Sequence, residues 1–540
     1  MKRKAVAAVL TAVMVASMFT GCGSDNGSSS AKSASAASAA SAANDTVDED
    51  GKVNGIMYQE GLPLVDEGAY TFSIFCDDSS ESGEFIMLDE FKKQTNVDVD
   101  LKIYPYETAT ERLNLDLNSG DYADVIGGWT LSDNAILTYG VNQGVFIPLE
   151  DYFEKYCPNI SAILDLPGVR EKMTAPDGHI YTIPYVCTDT TVGYSPYINT
   201  KWLENVGMSM PTTTDEFEAV LKAFKEQDAN GNGDASDEIP FSTDPNNKHI
   251  EAMAGYFGLP MNKLGIAIQD EKVVYGGVSD TYREFLSWFH KLYAEGLVDV
   301  ELYTQDSSTW EGKGNQDLYG VSIAYGSNEF TGIPAAEERG DFDSMPVLNT
   351  DKDGIWMRDT EGFSVYRTQA VITNKAEHPE IICRWFDNAF ALENGIGCNR
   401  GPVGVIVNKE DDGYHAIDTT TLSEEDQEKY SWGNLWPQSL PKYLPVDFEF
   451  VEEHPMYDEK KATEEAYEAN LTKEIIPSYW IDLDKIDTFS DTNTAIKDFF
   501  EQQQAQFVCG ELDIDNDADW QAYVDGMYSL GLEDWVATQG

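Results

Sequence analysis

The alternation of elements between residues 70 and 129 constrains the fold of this chain more than any other feature. Residues 70–75 alternate apolar and polar and are rich in β-formers, 84–95 place Phe85, Leu88 and Phe91 at helical spacing, and 97–103 alternate again. A helix is predicted over 108–118 and a short buried strand over 123–126, just before Gly127-Gly128-Trp129. Strand, helix, strand, helix, strand predicts a parallel sheet with helices on its faces, hence an α/β fold. Ligands of such sheets bind beyond the carboxyl ends of the strands. That rule points to Cys76-Asp77-Asp78-Ser79 and to Gly128-Trp129, both directly after predicted strands.

The start of the chain predicts an address. Lys2, Arg3 and Lys4 precede an apolar run over 5–19, and Thr20-Gly21-Cys22 follows, the layout of a secretion signal. The run is shorter than the roughly 20 residues that span a membrane. The ending resembles the lipobox of bacterial lipoproteins, with Phe19 where leucine is usual. That resemblance implies cleavage of 1–21 and acylation of Cys22 with fatty chains such as palmitate. The Ser, Ala, Gly and Asn-rich stretch behind it reads as a flexible tether, and the linker is set at 22–68.

With 95 Asp+Glu against 36 Lys+Arg the net charge is -59, a surface that repels phosphate backbones and excludes nucleic acid as a natural partner. Cys76, Cys157, Cys187, Cys383, Cys398 and Cys509 are scattered without a C-x-x-C pair, so a zinc knuckle is not indicated. Export allows some of them to pair, and the sequence does not say which.

Further along, 175–185 reads as a hairpin around Asp177-Gly178. Thr213 and Glu216 have capping-box spacing before an apolar helix over 217–224. The phrases Asp177-Gly178-His179-Ile180-Tyr181-Thr182-Ile183-Pro184-Tyr185, Tyr197-Ile198-Asn199-Thr200-Lys201-Trp202-Leu203 and Pro211-Thr212-Thr213-Thr214-Asp215-Glu216-Phe217 resemble the family 1 extracellular solute-binding proteins, the lipoproteins that deliver oligosaccharides to ABC importers. Residues 370–375 with His378-Pro379-Glu380, and 507–514 with 519–524, resemble the same family's return crossover and closing segment. The resemblance implies a two-lobed periplasmic-binding-protein-like fold with hinge crossings and a ligand cleft between the lobes. The expected layout is lobe 1 over 69–190, lobe 2 over 191–365, a return to lobe 1 over 366–402, and mainly lobe 2 with C-terminal helices over 403–540. Crossings are expected near 189–194, 363–370 and 400–405.

Asp228-Ala229-Asn230-Gly231-Asn232-Gly233-Asp234 sets side-chain oxygens at alternate positions with glycines for a sharp turn, as calcium loops require. It resembles the EF-hand-like loop of alginate-type and related members, with one extra residue before Asp237-Glu238. Asp228, Asn230, Asn232, Asp234, Asp237 and Glu238 are the expected ligands of a structural Ca2+, and an acidic turn without an ion is the alternative.

Eleven tryptophans offer flat faces on which sugar rings stack. Trp202, Trp288, Trp385 and Trp520 lie in helical patterns and read as core. Trp129, Trp310, Trp356, Trp432 and Trp436 stand beside Gly, Ser, Asp or Asn and are candidate cleft residues, with packing as the alternative. Asp78, Asp189, Arg358 and Asn434 are placed as hydroxyl partners. No Gly-x-Ser-x-Gly elbow, His-Glu-x-x-His or phosphate loop occurs, and the 6 histidines are dispersed. The expectation is a monomeric, lipid-anchored binding protein, not an enzyme, on the outer face of a bacterial membrane, serving ABC permease subunits. A secreted glycoside hydrolase and a sensory or adhesive glycan-binding lipoprotein are the alternatives.

Overall fold

The chain alternates short strands and helices in the order the sequence predicts for its first part. In the computed structural model the described residues are 45–538 apart from 79–83, 246–248, 270–271, 333–339, 418, 446–447, 449, 452–454, 477–479 and 484. Cys22, the signal peptide, the linker before 45, and Ser79 lie outside them. The first elements are β1 (Tyr70–Asp77), α1 (Ile86–Thr95), β2 (Val97–Tyr104), α2 (Tyr106–Ser119), β3 (Val125–Gly127), α3 (Glu150–Tyr156), α4 (Pro158–Leu164) and β4 (Tyr185–Thr188). Next come β5 (Ser195–Asn199), α5 (Thr214–Glu226), β6 (Ile239–Thr243), α6 (Asp280–Ala294), β7 (Tyr319–Ala324) and β8 (Phe342–Ser344). Then come β9 (Phe363–Tyr366), β10 (Ala370–Ile372), α7 (Pro379–Ala389), α8 (Pro455–Tyr467) and α9 (Ile486–Cys509), and helices over Asp517–Ser529 and Leu532–Ala537 close the chain.

The first sheet has the order β10-β3-β1-β2, with β1 parallel to both neighbours and β10 antiparallel to β3. Its two faces are read off alternate residues. Phe72, Ile74 and Cys76 of β1 point into a core shared with Phe91 of α1 and Trp385 of α7, whereas Phe75 packs with Leu113 and Leu117 of α2. Helices on both faces explain why Ile74, Phe75, Cys76 and Asp77 of β1 are all buried, on either side of the sheet. The edge strand β2 carries Asp98, Asp100 and Lys102, charges that discourage further pairing.

The second sheet has the order β8-β5-β7-β6, with β7 buried along its whole length. Its core joins Trp202, Phe217, Phe224, Phe241 and Phe289 to Phe500, Phe507 and Trp520 from the C-terminal helices. The α5 cap forms as predicted on one side, with Thr213 Oγ1 accepting from the Glu216 N–H at 3.2 Å. The Glu216 carboxylate reaches past the cap to the Thr212 N–H at 2.8 Å. Between the two sheets a separate antiparallel ladder pairs β4 with β9, Tyr185 opposite Tyr366 and Thr188 opposite Phe363. The chain passes from the first lobe to the second after β4 and returns along β9.

Three expectations are corrected. The linker does not extend to 68, because Val53, Met57, Leu64 and Val65 are buried in the first core and Arg384 donates to the carbonyls of Tyr58 and Gly61. Residues 175–185 make the tight turn but no hairpin ladder. Gly178 N–H bonds Ala175 O, and Ile183 N–H then turns to Ala370 O of β10. The chain also does not leave the first lobe at 400–405. Trp436 and Leu440 remain in the first core, with the Trp436 ring stacked on Trp385 at 5.7 Å and 27°, and Tyr467 of α8 is the next large ring in the second core.

Candidate functional site

Trp129 is presented by a loop that its own backbone fixes. Gly128 follows β3 with φ +134, and a Cβ there would lie 2.2 Å from Asp77 Oδ1 at the end of β1. The buried Asp77 carboxylate accepts from the Trp129 N–H at 2.9 Å, the Thr130 N–H at 2.5 Å and the Thr130 hydroxyl. Burial raises the Asp77 carboxyl above its usual range, and those N–H bonds oppose the rise. The indole is left 47% exposed. It meets Tyr366 edge to face at 5.2 Å, and Tyr366 in turn stacks on Tyr185 at 5.5 Å.

These rings form one wall of a cavity of about 480 Å³, within the roughly 300–1,000 Å³ usual for ligand sites. Strand β4 supplies Cys187 and Thr188, Asp189 follows its end, and the second lobe supplies Tyr194, His249 and Tyr325 opposite, with Asp359 and Thr360 beside them. Tyr194 stacks on His249 at 4.2 Å and 12°. Burial, helped by Lys263, lowers the imidazole to about 4, so His249 is neutral near pH 7. Asp189 ties the walls together. It accepts from Ser364 at 2.5 Å, from the Tyr366 phenol at 3.3 Å and from the Tyr325 phenol of the second lobe at 3.3 Å. Asp359 lines the cavity with its residue surface exposed, and desolvation of the carboxyl by the atoms packed around it, opposed by the Gly193 N–H at 2.7 Å, lifts it to about 6.

Helix α8 grips the crossing that runs along this cavity. Lys460 Nζ donates to Gly193 O at 2.8 Å, and Glu464, one turn later, accepts from the Thr191 N–H at 2.6 Å. Burial lowers the Lys460 ammonium to about 8 against the pull of Glu459, Glu329, Asp189 and Asp359. Among the described residues no lysine or arginine lines the cavity itself. A larger hollow of about 650 Å³ lies within the second lobe, between Gly258, Pro260, Asn349 and Asn470. It touches neither the strand ends of the first sheet nor a crossing, so the smaller cavity is the candidate site.

Of the residues singled out in the sequence, Trp129 and Asp189 line this cavity together. Trp310, Trp356 and Trp436 do not, and their reading as cleft residues is corrected. Trp310 packs on Phe330 and donates to Ser322, Trp356 packs on Tyr256 and Tyr467, and Trp436 packs on Trp385. Asp78 is buried and accepts from the Gln438 N–H at 2.8 Å. Arg358 donates to Thr472 O and pairs with Glu468, while Asn434 donates to Glu428 O. Trp432 is exposed, with the Lys442 ammonium 5.3 Å from its ring centre. None of Asp78, Arg358, Trp432 and Asn434 is a cavity wall. The sequence reading missed Tyr185, Tyr194, Tyr325 and Tyr366. Tyr185 closes the quoted Ile-Pro-Tyr phrase, and Tyr366 faces it in the second crossing, a signal that a search confined to tryptophan passes over.

The acidic loop after α5 is a second site of possible chemistry. Asn232 and Asp234 N–H groups donate to Asn230 and Asn232 side-chain oxygens, Gly233 N–H to Asp228 Oδ2, and Ala229 N–H to Glu238 Oε1. The amides of Asn230 and Asn232 hold the Asp237 carboxylate at 3.2 and 2.8 Å. Asp228 Oδ1 and Glu238 Oε2 are buried without a hydrogen-bond partner. Burial raises the Glu238 carboxyl, so the loop has two desolvated oxygens and no positive charge to meet them. That donor set, all oxygen and partly unsatisfied, fits a hard cation such as Ca2+.

Residues 78–395 match the model of the bacterial extracellular solute-binding protein family. The chain is similar to the fructooligosaccharide ABC transporter substrate-binding protein FusA of Streptococcus pneumoniae serotype 4, at 31% identity over 411 residues, which is 74% of this chain and 70% of FusA. The structure of a FusA EF-hand mutant in complex with fructo-nystose superposes with a TM-score of 0.76 at 27% identity, covering 87% of this chain and 98% of that one. The "HMO binding ABC-transporter associated Solute Binding Protein" from Bifidobacterium longum infantis shares the fold, with a TM-score of 0.72 at 21% identity over 88% of this chain and 98% of its own. These matches and the two-lobed fold lead to one assignment: the chain belongs to the bacterial extracellular solute-binding proteins.

Proposed function

We propose that this protein captures a neutral oligosaccharide in the cavity between its lobes and delivers it to the permease of an ABC importer. The observation that carries the reading is the half-exposed indole of Trp129, set against Tyr366 and Tyr185 at the carboxyl end of β3, across from the Tyr194–His249 stack of the second lobe. Such flat faces suit sugar rings, and Asp189, Asp359 and the phenols suit their hydroxyls. The described wall has two carboxylates and no lysine or arginine, which disfavours uronates, whose charge would meet its own sign. The likeness to FusA supports the same class of ligand and the same importer partnership.

In this reading Ca2+ sits in the loop of Asp228, Asn230, Asn232, Asp234, Asp237 and Glu238, where it supplies charge to otherwise unpartnered oxygens and fixes the loop. The Streptococcus protein was itself studied as an EF-hand mutant. Acylated Cys22 anchors a monomer to the outer face of the membrane. Ligand that touches both lobes favours the closed form, and the permease reads closure. The test is to incubate the protein with a panel of neutral oligosaccharides and chromatograph what is recovered. Retained and chemically unchanged glycan is expected, whereas shortened glycan would replace this reading with a glycoside hydrolase.

A further inference from the structure

Two of the scattered cysteines are neighbours in the first core. Cys157 joins α3 to α4, and Cys383 lies within α7. Both are fully buried. The start of α4 is pinned to α7 by one residue, Asp387, whose carboxylate accepts from the Ile160 N–H at 2.8 Å and the Asn159 amide at 3.0 Å. The same amide also reaches the Asp387 carbonyl at 3.1 Å. Cys383 precedes Asp387 by one turn and shares its helix face, while Cys157 directly precedes the pinned turn. Helix α7 packs against both α3 and α4, and the two thiols lie at that junction in the same buried cluster, close enough to act on each other electrostatically. The other body cysteines have different surroundings. Cys76 contacts the Ser439 hydroxyl at 3.2 Å, Cys187 lines the cavity, Cys398 is buried, and Cys509 is exposed.

We propose that Cys157 and Cys383 form an intramolecular disulfide as this exported chain folds. Extracellular surroundings sustain such bonds. The oxidant is a disulfide compound, such as oxidised glutathione or a disulfide oxidoreductase. One cysteine thiolate attacks it and expels the first thiol, and the second cysteine attacks the mixed disulfide and expels the other. Two S–H bonds and the oxidant's S–S bond are lost, one protein S–S bond forms, and two electrons and two protons leave with the oxidant as two thiols. Burial raises the Cys157 thiol well above its ordinary range, so the folded core offers neither a thiolate nor access. The bond therefore forms before the core closes, and closure then protects it. It fastens α7 to the α3–α4 junction across a long loop of sequence.

The test is refolding of the purified protein from denaturant in a glutathione redox buffer, followed by alkylation under denaturing conditions and peptide mass mapping. The expected result is one linked pair carrying Cys157 and Cys383, two hydrogens lighter than the separate peptides and lost on reduction, with Cys76, Cys187, Cys398 and Cys509 alkylated. Alkylation of both Cys157 and Cys383, or linkage of either to another cysteine, overturns the proposal. As a second readout, oxidised wild type should melt several degrees above its reduced form, and a Cys383→Ala protein should show no such difference. A full oxidation-dependent shift retained in that variant would also overturn the proposal. Where the variant does not fold, the wild-type peptide map decides alone.

Discussion

At the scale of single residues, Trp129 and Trp436 separate two uses of one side chain. Trp129 is held by its backbone and leaves its ring open, so Trp129→Ala should cost ligand affinity about tenfold to a hundredfold, or roughly 1–3 kcal/mol, with little change in melting temperature. Trp436 is 0% exposed, and its loss should destabilise the fold by roughly 3–5 kcal/mol. Calorimetry and melting curves on both variants check the contrast. Polar neighbours made both look like cleft residues in the sequence. Only Trp129 followed a predicted strand end, whereas the contact of Trp436 with Trp385 is made at long range and leaves no local trace. Asp359 gives a pH prediction. Its folded carboxyl titrates at about 6, above the unfolded value, so the stability this group contributes is complete below about pH 4 and is lost as pH rises through 6. Asp359→Asn should therefore melt increasingly above wild type from pH 4 to 7. A constant or reversed gap would contradict the assignment.

At the scale of elements, most of the first sheet was legible because its strands and helices carry local patterns. β1, α1 and β2 fall within two residues of their predicted bounds. The Asp177-Gly178 turn was also legible, but the flank that follows it pairs with β10, and which partner a strand finds is a tertiary choice. The linker was drawn too long because residues 45–68 have a mixed composition, while their burial depends on α7 and Thr95, whose carbonyl accepts from Leu64 N–H. The acidic loop after α5 is the element whose behaviour is simplest to test. Calcium should stabilise the folded state by preferential binding, by about 2.7 kcal/mol at a hundredfold excess over the dissociation constant, and so raise the melting temperature. Chelation should reverse that gain in wild type and leave Asp228→Ala unaffected. Equal responses of the two proteins would remove the ion from the account.

At the scale of the whole molecule, the two-lobed plan was legible through family phrases and the strand–helix alternation, and the third crossing was not, since nothing local marks a chain that stays in the first core through Leu440. The anchor belongs to this scale as well. Full-length protein made in a bacterium should partition with membranes, Cys22→Ser should release it, and equal membrane association of the two forms would contradict acylation at that residue. Closure of the lobes over a neutral glycan is the central claim. Calorimetric titration of the protein with a neutral fructooligosaccharide and, separately, with an oligogalacturonate of similar length tests it most directly. The account predicts saturable binding of the neutral sugar, abolished or weakened about tenfold or more by Trp129→Ala, and little or no binding of the acidic one. Tight binding of the oligogalacturonate alone, or neutral-sugar binding indifferent to Trp129, would contradict it.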